Sequence, residues 1–179
     1  MRILLFLITL LLSLILGSCN SEPTLQKYFV ENTENKDFIA LDISSNILNL
    51  DKAKLTVAQK EALHSFDKIN VLAFKLNANN KTQFETERAK VNLILKDTVY
   101  QQLMKFGSGK EGASVSYVGS DDHINEFVFF ANKKDAGFAV VRVLGKDMNP
   151  TNIMNMISVL QESKIDLEQL KPLQELIKK

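Results

Sequence analysis

Residues 113–144 read ASVSYVGSDDHINEFVFFANKKDAGFAVVRVL, and this stretch decides the fold. Three runs, 113–118, 125–131 and 137–144, are strand-like, rich in β-branched and aromatic residues. Gly119-Ser120-Asp121-Asp122 and Asn132-Lys133-Lys134-Asp135 separate them. Gly, Asn and Asp suit turn backbone, so this spacing predicts an antiparallel meander. Just upstream, residues 100–106 read either as one more strand or as the end of the preceding helix. The glycine-rich stretch at 107–112 then makes a hairpin.

Working outward, residues 69–76 (INVLAFKL) are apolar on both faces, the pattern of a central strand. Residues 38–43 alternate, with Phe38, Ala40 and Asp42 on one side and Ile39, Leu41 and Ile43 on the other. Between the strands stand helix signals. Pro23 sits at or near the start of a segment with Leu25, Tyr28 and Phe29 on one face. Thr56-Val57-Ala58-Gln59 and Thr82-Gln83-Phe84-Glu85 both have the spacing of a capping box. The first opens a helix carrying Ala62, Leu63 and Phe66; the second opens one with Phe84, Val91 and Leu95 inward. Asn149 and Pro150 begin another helix, faced by Ile153, Ile157 and Leu160. Asp166 caps a last one, with Leu167, Leu170, Leu173 and Ile177 on one stripe. The expected fold is α+β: a single mixed, largely antiparallel sheet ending in a meander, with helices packed on at least one face.

The N-terminus carries a different message. Met1-Arg2 is followed by an apolar run, residues 3–16, interrupted only by Thr9 and Ser13, and then by Gly17 and Ser18. A charged start, an apolar middle and a small-residue end make a secretory leader. Leu16-Gly17-Ser18-Cys19 resembles the bacterial lipobox, and Cys19 is the only cysteine of the chain. That resemblance implies peptidase recognition through Leu16, Gly17 and Ser18, a diacylglyceryl group on the Cys19 thiol and an N-acyl chain, typically palmitate, on its amine. The expected organisation is a leader over 1–18, a lipidated cysteine and tether over 19–23, and one domain over 24–179. Asn20 departs from the enteric inner-membrane retention signal, and only Glu22 stands where a surface-export acidic cluster would lie. The expectation is an outer-membrane anchor facing the periplasm.

Composition limits the partners. The chain has 22 basic and 21 acidic side chains; removal of Arg2 with the leader leaves the two signs equal and interspersed. This argues against a nucleic-acid footprint and against a polybasic lipid patch. With no cysteine beyond Cys19, no intrachain disulfide forms, and packing alone must hold the domain.

A family resemblance rests on the order of several segments. The lipobox, Leu25-Gln26-Lys27-Tyr28-Phe29, INVLAFKL, the capped charged helix, Tyr100-Gln101-Gln102-Leu103-Met104, and a strand ending before Gly145-Lys146-Asp147 follow one another. Together they resemble a domain-of-unknown-function family of short Bacteroidetes-type lipoproteins. The resemblance implies no catalytic residue. Its members' association with sigma-factor regulatory genes implies a role in envelope regulation.

Candidate chemistry is sparse. Asp121-Asp122-His123 groups two carboxylates with an imidazole, a weak metal-ligand candidate, but consecutive residues on a strand cannot all face one ion. The bland reading is a solvated hairpin turn. Gly107-Ser108-Gly109-Lys110 lacks the spacing of a phosphate loop and leads toward a strand. His64 reads as a helix-surface residue. Phe127, Val128, Phe129 and Phe130 make either a core strand or the wall of a ligand cavity. The expected function is therefore a lipid-anchored, non-enzymatic binding or regulatory component of the cell envelope, with a possible envelope protein partner and no cofactor. The alternatives are a small-molecule or lipid binder and a periplasmic hydrolase whose site is assembled from distant loops.

Overall fold

The computed structural model describes residues 23–44, 55–108 and 111–155. Helix α1 spans Leu25–Asn32, strand β1 Phe38–Ser44, α2 Val57–Ser65, β2 Phe66–Lys75 and α3 Lys81–Ile94. Strands β3 Gln101–Ser108, β4 Glu111–Ser120, β5 His123–Lys133 and β6 Gly137–Met148 follow. A helical turn over 150–155 ends the described part. The strands form one open sheet in the order β1-β2-β6-β5-β4-β3, with every neighbouring pair antiparallel. The meander is thus β3 to β6, and of residues 100–106 all but Tyr100 belong to a strand. The last helix, Leu167 to Ile177, lies outside the described residues.

Cross-strand register turns the sequence pattern into two faces. On one, Phe38, Phe74 and Phe138 stand in a row across β1, β2 and β6. Their rings pack edge-on and stacked at centroid distances of 5.1 Å (Phe38–Phe74) and 5.5 Å (Phe74–Phe138). A second row, Leu72, Val140 and Phe130, continues the same core. Helices α1 and α3 cover this face with Leu25, Tyr28, Phe29, Phe84, Val91 and Ile94. In α1 the buried residues fall at 25, 28, 29 and 32, one helical stripe. Thr24 caps it by accepting a hydrogen bond from the Lys27 amide at 3.2 Å.

Helix α3 makes the long connection from β2 to β3 on the far edge. Four inter-strand steps are about 19 Å at the usual spacing. The fourteen residues of α3 rise about 21 Å. Length and span agree, so one straight helix crosses the sheet. Its start corrects the second capping box. The cap is Asn80, and Thr82 lies inside the helix. Asn80 instead donates from its side-chain amide to Asp37 Oδ1 (2.9 Å) and the Lys75 carbonyl (3.1 Å), tying the helix entrance to β1 and β2. The first capping box is present: Thr56 Oγ1 accepts from the Gln59 amide at 3.2 Å, and Gln59 Oε1 accepts from the Thr56 amide at 2.9 Å. Asn149 also caps as expected, its side chain accepting from the Asn152 amide at 2.9 Å.

Gly137 opens β6 with φ +128°, and a Cβ there would meet the Phe74 carbonyl oxygen at 1.9 Å. Only glycine permits both that backbone and that approach.

Phe74 is 1 % exposed at the junction of β1, β6 and α3. Phe74→Ala should cost about 3–5 kcal/mol by leaving a cavity among rings. A urea unfolding series checks this: a loss below about 1 kcal/mol would show that the ring cluster does not carry the core.

Candidate functional site

The third row on the α1/α3 face is polar. Asp42, Asn70 and Arg142 stand side by side on β1, β2 and β6. The Asn70 amide donates to Asp42. Arg142 is 4 % exposed. A guanidinium buried to that degree needs a full set of acceptors. Glu126 on β5 supplies two: Nε donates to Oε1 at 2.6 Å and Nη2 to Oε2 at 3.1 Å. Nη1 donates to Gln26 Oε1 on α1 at 2.7 Å, and the Phe29 ring lies 5.4 Å from the guanidinium carbon. The flat fork of arginine matches a carboxylate edge and still leaves a donor for the helix. Gln26 and Phe29 are one turn apart on α1, so Arg142 holds that helix at a fixed height on the sheet.

Beside this clamp is a cleft of about 180 Å³, bordered by Val30, Thr33, Asp42, Lys68 and Arg142. Its buried cation is already neutralised by Glu126, and its rim charges, Lys68 and Asp42, are of opposite sign. The arrangement is chemically suited to fixing a helix rather than to taking up an anion.

A second buried polar pair lies under α1. The Tyr28 hydroxyl donates to Glu87 Oε2 at 2.9 Å, and Lys90 Nζ reaches Glu87 Oε1 at 2.7 Å. Burial first, and the Glu87 charge and hydrogen bond second, push the Tyr28 phenol well above its ordinary range.

The residues singled out in the sequence are dispersed. Asp121 and Asp122 form the β4–β5 turn. Asp121 accepts a hydrogen bond from Tyr117, which raises the Tyr117 phenol. His123 Nδ1 turns the other way, 2.8 Å from Asp147 Oδ1, and both side chains are largely exposed. Among the described residues no group of three or more His, Cys, Asp or Glu is placed to hold a metal ion. His64 is exposed on α2. Gly107 takes φ +74° at the entrance to the β3–β4 hairpin, while residues 109–110 lie outside the described part. Phe127, Val128 and Phe130 are buried in the two core clusters, Val128 and Phe130 on one face and Phe127 on the other. Leu16, Gly17, Ser18 and Cys19 lie outside the described residues.

What sequence reasoning missed is the apolar surface. On the face away from α1 and α3, three rows run across the sheet. Ile43, Ile69, Val143, Phe127 and Tyr117 make the first, continued by Gln101, and Leu63, Met148 and Ile153 pack with it. Leu41, Val71, Val141, Phe129, Val115 and Met104 make the second, one residue from each strand. Ile39, Ala73, Ala139, Ala131, Ala113 and Phe106 make the third. The rows end on β3, the edge strand among the described residues, where Leu103 (42 %), Met104 (43 %) and Phe106 (60 %) are exposed. The signal was available in the alternation of β4 and β5, but it needed the register to become a surface.

These features define an α+β protein built on one open antiparallel sheet, clamped under a helix by a buried ion pair and apolar at its β3 edge. Residues 28–156 match the DUF4252 family, a domain of unknown function. The chain belongs to that family, whose match runs from within α1 to just past the helical turn after β6. No curated protein and no solved structure matches the sequence.

Two outcomes follow from the buried polar groups. Arg142→Met alone strands Glu126 and should destabilise by about 3–5 kcal/mol. The double replacement Arg142→Met with Glu126→Leu should recover much of that loss. Denaturant midpoints of the three chains decide it, and equal losses for single and double variants would contradict the pair. The Tyr28 phenol, raised in the folded state above its unfolded value of about 10, contributes stability that is intact below about pH 10 and declines as pH rises beyond it. Tyr28→Phe should flatten that alkaline decline when unfolding free energy is followed from pH 8 to 11.

Proposed function

We propose that this protein is a lipid-anchored, non-enzymatic binding component of the cell envelope, and that it engages an envelope protein through the free edge of β3. The observation that carries the reading is the exposure of apolar side chains there. Eight large hydrophobic residues are exposed among the described residues, and four of them, Val99, Leu103, Met104 and Phe106, fall within residues 99–106. An edge strand offers unpaired backbone donors and acceptors as well as side chains, so an extended segment of a partner can add to the sheet. Lys105, between Met104 and Phe106, and the irregular register between Gln102 and Met104 discourage indiscriminate pairing.

The anchor supports the same reading. The leader and Leu16-Gly17-Ser18-Cys19 have the lipobox pattern, and Asn20 favours the outer membrane with the domain on the periplasmic side. Two or three acyl chains on Cys19 would make attachment effectively permanent, since each buried methylene adds about 0.8 kcal/mol. A tethered domain meets envelope partners at a high effective concentration, so a modest edge contact suffices.

Photo-crosslinking in cells tests the reading directly. A photoreactive residue at Phe106 should capture one discrete envelope protein, and the same probe at Lys36, beside the opposite edge of the sheet, should not. Identical products at the two positions, or none at Phe106, would contradict the edge assignment. Cys19→Ala should release the protein from the membrane fraction and abolish acyl labelling; unchanged partition would contradict the anchor.

A further inference from the structure

The proposed anchor joins the domain at one fixed place on its surface. Six residues lead from Cys19 to Leu25, a covalent reach of at most about 22 Å however the chain runs. Leu25 is fully buried, and its amide donates to the Tyr100 hydroxyl at 3.4 Å. The start of α1 is thereby held beside Tyr100, between the end of α3 and the entrance to β3. A domain of this length measures about 35 Å across. The reach of the anchor is shorter than that, so the side of the domain that carries Tyr100 stays nearest the bilayer.

What the domain presents there is apolar. The Leu93 carbonyl accepts from the Lys96 amide (3.1 Å), the Ile94 carbonyl from the Asp97 amide (3.1 Å) and the Asp97 carbonyl from the Tyr100 amide (3.0 Å). These bonds fold residues 93–100 into one compact turn. Ile94 is buried in the core under α1 and α3, and Tyr100 packs against it. Leu93 and Val99 are left outside, 63 % and 47 % exposed. Lys96 is exposed as well, and Asp97, the only acid of the turn, accepts from the Val99 amide at 2.9 Å. Two apolar side chains and an ammonium on a hydrogen-bonded turn suit the boundary between acyl chains and phosphates, where a lysine stem lies along apolar surface and its head reaches the polar layer. Such a contact is weak by itself, but a tether makes it intramolecular, so a weak contact suffices. We infer that the turn over residues 93–99 rests on the lipid surface, with Leu93 and Val99 in the interface and Lys96 against a lipid phosphate. The inference rests on the Cys19 anchor proposed above and adds the orientation of the domain upon it. Strand β3 leads away from this turn, and Phe106 stands about 17 Å along it from Gln101, so lipid contact leaves the proposed edge contact open.

Quenching by lipid reads this orientation. The lipidated protein, purified from membranes, is placed in vesicles of phosphatidylethanolamine and phosphatidylglycerol that carry a nitroxide lipid. The anchor consumes the Cys19 thiol and the chain has no other cysteine, so an introduced cysteine alone takes a bimane label. One label goes at Thr98→Cys, exposed in the turn, which leaves Leu93 and Val99 intact. The other goes at Lys134→Cys, exposed in the β5–β6 turn about 24 Å along the strands from the Gln101, Tyr117 and Phe127 row. Thr98→Cys should lose most of its fluorescence in the nitroxide vesicles, and Lys134→Cys should keep it. Adding Leu93→Asp and Val99→Asp should return the Thr98→Cys signal toward that of Lys134→Cys while the protein still floats with the vesicles. Equal quenching at the two sites, or quenching at Thr98→Cys that the aspartates leave unchanged, overturns the inference and leaves the anchor standing. Failure of the protein to float overturns the anchor, and the inference with it. In cells, a photoreactive residue at Leu93 that captures a discrete protein in place of lipid also overturns it, by assigning the turn to a protein partner.

Discussion

The constraint on which the structure depends is that β2 and β6 are apolar on both faces. Leu72 and Val140 face α1 and α3, while Val71 and Val143 face the other way, and all four are buried. Such strands belong inside a sheet with cover on each side. Their antiparallel pairing at the centre, flanked by β1 on one side and by β5, β4 and β3 on the other, answers that requirement. Everything else is arranged around it. Helix α3 crosses one face to reach the far edge, and α2 with the turn after β6 covers part of the other.

Polar groups inside this frame place elements rather than supply net stability. Burying Arg142 and Glu126 together gains little over an apolar pair, but leaving either alone is costly. The pair therefore permits one height of α1, the one that puts Gln26 on the third donor and Phe29 against the guanidinium. Tyr28 and Glu87 make a second such tie, between α1 and α3. With α1 and α3 committed to one face, the opposite face is where β3 and its neighbours offer apolar surface.

Much of this was legible in the sequence, and for physical reasons. INVLAFKL gave itself away as central because no position in it alternates to a charge until Lys75. The meander followed from turn residues at short spacing, whereas residues 100–106 suited a strand or a helix end equally, and pairing with β4 decides for the strand. The cap of α3 was not legible, because Thr82 and Asn80 are both good capping types and the choice is made by Asp37, 43 residues from Asn80. Glu126 and Arg142 left a fainter signal: each is a charge within the apolar stretch of its strand, and two such charges flanking one hairpin call for a diagonal pair. The apolar rows were hidden for another reason. Alternation marks which residues share a face of one strand, whereas a surface depends on register across six.

The sheet is centred on β2 and β6, and among the described residues β3 is an edge without a neighbour on its outer side. Amide hydrogen exchange followed by mass spectrometry measures this directly. Peptides from β2 and β6 should exchange only with global unfolding, and peptides from residues 101–107 should exchange orders of magnitude faster. Protection of β3 equal to that of β6 in the isolated protein would contradict the free edge, and fast exchange in β6 would contradict the sheet order itself.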